Sequence, residues 1–271
     1  KKDLSGIKAT ADSGRNLKAN DFDIFYLLSD SYRAAYLAYK SESPMRIGYP
    51  GQARTGMLTK AIMRPKNKMH RYLQYINLIE EQLENYNYYD PGIVLNDEEK
   101  NWATKELSKL DLADPISFFP FSVASSRSIP LSKAISILSD IDKENVLIFG
   151  GIDDSPSAKI MVNTLQKNNI RSIAGDYSLR ESIAIISQSK GAIATDSGLG
   201  HISANLGVPT VSLFGAGDPY LTKPIGENVF VINQNVYCSP CLKNKCNNKR
   251  EPLLCLEKIE PSSILKSLNS I

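Results

Sequence analysis

Apolar and polar residues follow a regular order over the second half of the chain. From residue 116 onward, short runs of strand-forming residues alternate with segments whose apolar residues recur every three or four positions. The strand-like runs are ISFFPFS, NVLIFGG, IRSIAG, GAIAT and TVSLFG, and the helical segments between them are IPLSKAISILSDI, SAKIMVNTLQKN, LRESIAIISQS and LGHISANLG. This alternation predicts a doubly wound α/β domain over residues 101–271, with a parallel sheet covered by helices on both faces.

The first hundred residues carry a shorter version of the same pattern. DFDIFYLLS and MRIGYPG predict strands, whereas SYRAAYLAYKS and HRYLQYINLIEEQL have helical spacing. The polar segment 85–101 has no sustained periodicity and is interpreted as a connection between domains. Because residues 1–100 hold few strands and the chain has no initiator Met, we expect a partial N-terminal domain whose first strands precede Lys1.

Composition narrows the class of protein without identifying it. The 271 residues are 42% hydrophobic and 23% charged, as in globular proteins, and this excludes a disordered or fibrous chain. The net charge of +3 does not demand a nucleic-acid partner and suits an anionic ligand or membrane surface. No apolar run approaches the ~20 residues that span a bilayer, and the start lacks the apolar core of a secretory signal. We therefore expect a cytoplasmic protein.

The strongest candidate for chemistry is the stretch ATDSGLGHISANLGVPTVSLFG. It begins where the predicted strand GAIAT ends and a helix starts, so the first free N–H groups of that helix offer an anion site. The candidate residues in this turn are Asp196, Ser197, Gly198, Leu199, Gly200 and His201. The alternative is an ordinary helix start, capped by Asp196 or Ser197 and ended at Gly207.

Three further loops should share an edge with this turn, because ligands bind beyond the carboxyl ends of parallel strands. FSVASSRSIP supplies Ser125, Ser126 and Arg127, which suit a diphosphate. FGGIDD at 149–154 supplies carboxylates that could hold ribose or sugar hydroxyls, and GDYSL offers Tyr177 as a surface for a base. Each loop taken alone is equally compatible with a solvated surface turn.

All four cysteines fall in one window, at Cys238, Cys241, Cys246 and Cys255. A C-x2-C pair followed by two more thiols can close a structural zinc or iron site. Four reduced thiols in an irregular loop are an equally good interpretation.

Taken together, these motifs resemble glycosyltransferase family 9, the ADP-heptose:lipopolysaccharide heptosyltransferases. The resemblance rests on TDSGLGHISANLGVPTVSLFGAGDP and CSPC, on ASSRSIP, and on FDIFYLLSDSYRAAYLAYKSESPMRIGYPG, and covers nearly the whole chain. Two departures are Arg127, where lysine is usual, and Ile129, where tryptophan is usual.

The resemblance implies a GT-B architecture of two Rossmann-like domains and an inverting transfer that needs no metal. It implies that Arg127 and Asp196 serve catalysis, and that residues 1–100 form the acceptor side and residues 101–271 the donor side. Donor-binding positions implied in this way are Ser125, Ser126, Arg127, Asp153, Tyr177, Asp196, Ser197, Gly198, Leu199, Gly200 and His201. The general base is expected upstream of Lys1.

The implied donor is ADP-heptose and the implied acceptor a lipid A-core molecule, with peripheral contact at the cytoplasmic face of the inner membrane. Two alternatives stay open. One is a protein O-heptosyltransferase acting on autotransporters, and the other is a sugar-nucleotide-binding module without catalysis.

Overall fold

The computed structural model of the chain describes residues 6–80 and 92–270. Its contacts divide the chain into two compact units, Lys1–Tyr89 and Asp90–Ile271. The predicted domain boundary after residue 100 falls inside helix α4, Asp97–Lys109, which packs on a helix of the second unit. This helix starts with a capping box, in which Asn96 and Glu99 each accept the other's backbone N–H.

The second unit is built on a parallel sheet, as the alternating pattern predicts, and the sheet has six strands, one more than the five predicted. Its strands are β4 (Ile116–Phe119), β5 (Val146–Ile148), β6 (Ile170–Ser172), β7 (Gly191–Thr195), β8 (Thr210–Phe214) and β9 (Val229–Asn233). They are ordered β6-β5-β4-β7-β8-β9, and every neighbouring pair is parallel. This is the order of a dinucleotide-binding fold, in which the chain changes direction between β4 and β7 and leaves a crevice there.

Helices cover both faces of this sheet because successive strand residues point to opposite sides. Phe118 belongs to one apolar core and Phe119 to the other. The first core also takes residues from α5 (Leu131–Ser139), α6 (Ser155–Leu165), α10 (Leu254–Glu257) and α11 (Pro261–Asn269). The second takes residues from α4, α7 (Leu179–Ile186) and α8 (Gly198–Asn205). A short helix, α9 (Pro219–Thr222), follows β8.

The first unit contains a parallel sheet of three strands, ordered β1-β2-β3. The strands are β1 (Ile24–Leu27), β2 (Met45–Gly48) and β3 (Lys60–Ala61), and the helices are α1 (Ile7–Lys18), α2 (Tyr32–Lys40) and α3 (Arg71–Glu80). Helices α1 and α2 cross closely at Gly14, where a β-carbon would meet Leu37 O and Lys40 Cβ at 2.6 Å. The last residues of the predicted helix 70–83, and residues 85–91 of the predicted connection, lie outside the described residues.

The sequence pattern did not predict α1, α4, β3, β9 or the helices after β8. Helix α1 has only one large aliphatic residue at its start, and β9 is half-buried at the sheet edge. Within the described residues, no helix is long and apolar enough to cross a membrane.

Candidate functional site

A cavity of about 980 Å³ lies at the carboxyl ends of β4, β5 and β7. These strands surround the point where the strand order reverses, the usual ligand position in an open α/β sheet. Seven of the residues predicted for the site line it, and these are Arg127, Asp153, Asp196, Ser197, Gly198, Leu199 and His201. The sheet topology therefore brings together the turns after three different strands.

An ion pair forms the floor of this cavity. Arg127 Nη1 lies 3.3 Å from Asp196 Oδ2, and the Asp196 side chain is 5% exposed. A hydrogen bond to the end of β7 holds the Arg127 loop in this position, since the Thr195 hydroxyl donates to the Arg127 carbonyl oxygen. The loop is also closed on itself, because the Ser128 hydroxyl accepts from Ser122 N and donates to Ser122 O.

Burial raises the pKa of the Asp196 carboxyl above its ordinary value, and the nearby Arg127 and His201 lower it by less. Two opposing effects thus act on one group, and the cost of removing a carboxylate from water is the larger. Asp196 is consequently easier to protonate than a surface aspartate. A bound anion would push its pKa in the same direction as burial.

Helix α8 presents an N-terminus without a side-chain cap. Ser197 occupies the N-cap position, but among the described residues its hydroxyl makes no cap hydrogen bond. The N-cap residues Ser31, Asn96 and Ser178 of α2, α4 and α7 all make that bond. The first N–H groups of α8 and its positive dipole end therefore remain open toward the cavity.

Three buried polar atoms at this cavity have no hydrogen-bond partner in the part of the chain that the structure describes. They are Arg127 Nε, Ser197 Oγ and Asp196 Oδ2, and the last of these has the ion-pair contact with Arg127 Nη1 at 3.3 Å but no hydrogen bond. Buried polar groups are nearly always satisfied, so such a group in a cavity indicates a ligand or ordered water. Arg127 Nε and Ser197 Oγ are hydrogen-bond donors, and Asp196 carries a titratable carboxyl. Together at a helix N-terminus, these groups suit an anion with several oxygens.

The two glycines of the turn have different roles. A β-carbon on Gly198 would meet nothing within 4 Å, so this position is open for a ligand to approach the backbone. A β-carbon on Gly200 would lie 2.8 Å from the Ala194 side chain. Gly200 therefore allows α8 to pack closely on β7, and it does not line the cavity.

The loop after β5 forms another wall. Asp154 accepts a hydrogen bond of 2.8 Å from Gly151 N and so fixes the turn. The neighbouring Asp153 is exposed at the cavity. Both carboxylates of FGGIDD line the cavity, and Asp153 is the more exposed of the two.

Apolar side chains that the sequence analysis did not single out complete the lining. Ile152 and Leu179 are 72% and 61% exposed there, and Phe121 and Val123 also contribute. Large exposed aliphatic residues in a cavity indicate a flat apolar partner. Their signal in the sequence was weak, because isolated apolar residues in loops are common.

Besides Gly200, three predicted residues lie away from the cavity lining. Ser126 is buried, and its hydroxyl donates to the Lys243 carbonyl oxygen, while Ser125 Oγ lies 3.4 Å from Asn244 O. Tyr177 packs edge-on against Trp102 and donates to Glu106 over 3.2 Å. The sequence pattern assigned these residues to loops at the edge of the sheet, but it did not predict the directions in which their side chains point.

The cysteines do not form a metal centre in the described residues, where no group of three His, Cys, Asp or Glu side chains could hold an ion. All four are free thiols. Cys255 is buried, and burial together with the nearby Cys238 and Cys241 raises its pKa to about 11, so it is an uncharged thiol. Cys246 Sγ accepts from Leu253 N at 3.3 Å.

Gly217, which follows β8, contacts the site and was not predicted from the sequence. The Cα of Gly217 lies against the Asp196 carboxylate, and a β-carbon there would overlap Oδ2. The segment GAGDP carries this glycine three residues after the end of a buried strand, and a glycine so close to a strand end is the signal that could have identified it.

The chain matches known proteins over most of its length. The model of the family "Glycosyltransferase family 9 (heptosyltransferase)" matches residues 11–251. Lipopolysaccharide heptosyltransferase 2 of Escherichia coli strain K12 is 24% identical over 242 residues, which are 81% of this chain and 67% of that protein.

Solved structures show the same fold. ADP-heptose lipopolysaccharide heptosyltransferase II of E. coli superposes with a TM-score of 0.78 at 23% identity, covering 97% of this chain and 80% of that one. A family 9 glycosyltransferase from Veillonella parvula also has a TM-score of 0.78, at 22% identity, covering 99% and 79%.

Proposed function

The chain belongs to glycosyltransferase family 9, the heptosyltransferases, and from that premise we propose that it transfers heptose from ADP-heptose to a lipopolysaccharide inner-core acceptor. The observation that carries the proposal is the convergence of the unsatisfied donors Arg127 Nε and Ser197 Oγ with the buried Asp196 carboxyl at the uncapped start of α8. A diphosphate is the anion that this combination of a guanidinium, a hydroxyl and free N–H groups suits.

The proposed chemistry follows from the charge that develops on the leaving group. The bond between the anomeric carbon and the β-phosphate oxygen breaks, and ADP departs with the electron pair. Arg127 and the α8 N-terminus stabilise this charge more in the transition state than in the ground state. No metal is required by this scheme, because the protein's own cation and backbone dipoles face the phosphate.

The acceptor oxygen forms the new bond from the opposite face of the sugar, which inverts the anomeric centre. Its proton passes to a general base. We assign none of the described residues to that role.

The remaining cavity residues fit the nucleoside half of ADP. Asp153 is exposed at the wall where ribose hydroxyls would lie. Ile152 and Leu179 offer apolar surface to the adenine ring, the role that the sequence analysis gave to Tyr177.

The first unit carries charge that suits a phosphorylated acceptor. Asp30 is the common partner of Arg54, Arg64 and Arg71, so this cluster has two more positive than negative charges. Arg64 also lies 4.5 Å above the ring of Tyr49. Lipid A-core molecules are anionic, and guanidinium groups bind phosphate well.

We also propose that the first unit makes the peripheral membrane contact. Tyr32 and Tyr39 of α2 are more than 40% exposed, and Lys40 Nζ lies 5.4 Å from the Tyr39 ring centroid. Aromatic rings beside cations favour the interface of an anionic bilayer. Co-sedimentation with vesicles containing anionic lipid should exceed that with neutral vesicles, and Y32S/Y39S should remove the difference. Equal sedimentation with both kinds of vesicle would contradict this contact.

A transfer assay tests the proposed function. ADP-heptose, ADP-glucose, a UDP-sugar and a GDP-sugar would each be offered with a lipid A-core acceptor and, separately, with an autotransporter protein. We expect product only from ADP-heptose and the core acceptor. Product on the protein would identify the alternative acceptor, and donor binding without any product would indicate a binding module.

A further inference from the structure

Ser125 and Ser126 stand in a segment that predicts phosphate contacts, yet their hydroxyls point toward residues 243 and 244. Ser126 is 1% exposed and makes two hydrogen bonds to that loop, from its hydroxyl to Lys243 O and from its N–H to Asn244 O over 3.2 Å. A buried serine with both groups engaged fixes the backbone on which it sits. The next residue along that backbone is Arg127.

The same loop is attached to the segment that follows β8. Ser239 Oγ donates to Gly215 O at 2.5 Å, and Leu242 N donates to Ala216 O at 2.8 Å. The residue after Ala216 is Gly217, which lies against the Asp196 carboxylate. Residues 239–244 therefore hold, on opposite sides, the backbone that carries Arg127 and the backbone that supports Asp196.

The far side of the Gly215 backbone is packed just as tightly. A β-carbon on Gly215 would lie 2.8 Å from Cys255 Sγ and 3.0 Å from Leu256. Both residues are buried in the core beneath the sheet. The Gly215 backbone consequently has little freedom to move away from the loop that binds it.

We propose that residues 239–244 act as a brace that sets the distance between Arg127 and Asp196, and that Ser126 is a positioning residue for donor binding. This inference rests on the proposed function, because it assigns the brace to the diphosphate site. It gives the serines of ASSRSIP a role different from phosphate contact: they place the guanidinium and do not touch the ligand. Small displacements of the guanidinium should lower the rate strongly, since a misplacement of about 1 Å in an active site can reduce the rate on the order of 100-fold.

The test compares variants by calorimetry with ADP and by transfer rate. We expect Ser126→Ala to weaken ADP binding about 10-fold and to lower kcat/KM at least as much. Ser189→Ala is the matched control, because Ser189 is also buried and its hydroxyl lies 2.8 Å from Ser117 Oγ, just before the start of β7. It should lower stability to a similar extent and leave ADP affinity unchanged.

A double-mutant cycle distinguishes positioning from general loss of stability. If Ser126 acts through Arg127, then Ser126→Ala in an Arg127→Ala background should change the ADP Kd by about 2-fold or less. Equal losses in both backgrounds would overturn the brace. If Ser126→Ala does not fold, a second double-mutant cycle serves the same purpose. It compares the effect of Ser239→Ala on the ADP Kd in the wild-type and in the Asp196→Ala background.

The outcomes separate the two proposals. A wild-type chain that neither binds ADP nor transfers sugar would overturn the proposed function and the brace with it. A wild-type chain that does both, and whose Ser126→Ala variant is unchanged, would overturn the brace alone.

Discussion

The Cα of Gly217 and the carboxylate of Asp196 are in direct contact, so close that no side chain fits between them. This contact joins the end of β8 to the end of β7, the two neighbouring strands on one side of the point where the strand order reverses. The position of the buried carboxylate thus depends on a residue that has no functional group.

Gly217→Ala should displace Asp196 and separate it from Arg127. Because the methyl group would occupy the place of Oδ2, we expect a loss of about 1–3 kcal/mol in the free energy of unfolding and a much larger proportional loss of transfer. Gly191→Ala is the matched control, since a β-carbon there meets only ordinary contacts of 3.6 Å at the opposite end of β7. Urea unfolding and initial rates measure both effects, and a fully active Gly217→Ala would contradict the assignment of Asp196.

Ser197→Ala should affect ligand binding and leave stability almost unchanged. Its hydroxyl makes no cap bond among the described residues, so its removal should cost no more than a few tenths of a kcal/mol. Asn96→Ala is the complementary variant, because it breaks the capping box of α4 and should cost about 1 kcal/mol while ADP affinity stays the same. The reverse pattern, with stability lost in Ser197→Ala and ADP affinity kept, would show that the turn is only a helix cap.

Asp196→Asn should change how stability depends on pH. The folded-state pKa of Asp196 is raised by burial, so the unfolded chain loses this proton first as pH rises above the ordinary value of 3.8. The contribution of Asp196 to wild-type stability should therefore fall with rising pH until the raised pKa is passed, because the unfolded state binds fewer protons at this site there.

The Asn variant lacks this titration. Its stability relative to wild type should be lowest near pH 4 and should increase with pH to a plateau, as measured by urea unfolding at a series of pH values. Parallel pH profiles for the two proteins would show that the pKa of Asp196 is not raised.

Much of the fold could be predicted from the sequence, for physical reasons that differ between regions. Strands such as GAIAT and helices such as LRESIAIISQS have strong periodicity and lie in the core, and the structure confirms them. The family and its fold are confirmed as well. Helix α4 was harder, because its start at Asn96 is defined by a capping box in a polar segment and not by apolar spacing.

The site was predictable at the level of loops and less so at the level of side chains. Arg127, Asp196 and Ser197 follow from the rule that strand ends share an edge, and they do line one cavity. Their roles in binding and catalysis stay predictions. Ser126 and Tyr177 stand in the expected loops, but contacts with Lys243 and Trp102, distant in the sequence, determine where their side chains lie.

Arg127→Lys examines the departure from the residue usual at this position. Lysine keeps the charge but lacks the planar fork and the Nε–H group. We expect ADP affinity between those of wild type and Arg127→Ala, and a transfer rate closer to wild type. Loss as complete as in Arg127→Ala would show that the fork geometry, rather than charge, is what the site requires.

Calorimetry of ADP binding to the wild-type chain and to Arg127→Ala tests the central claim most directly. The account predicts that the wild type binds ADP and that Arg127→Ala weakens binding about 10- to 100-fold, the usual effect of losing a hydrogen bond to a charged group. Arg127→Ala should also lower the unfolding temperature in the absence of ADP, because it leaves the Asp196 carboxylate, 5% exposed, without its ion-pair partner, so binding is compared at a temperature at which both proteins are folded. Equal ADP affinity in the two proteins, or none in the wild type, would contradict the assignment of this cavity as the donor diphosphate site.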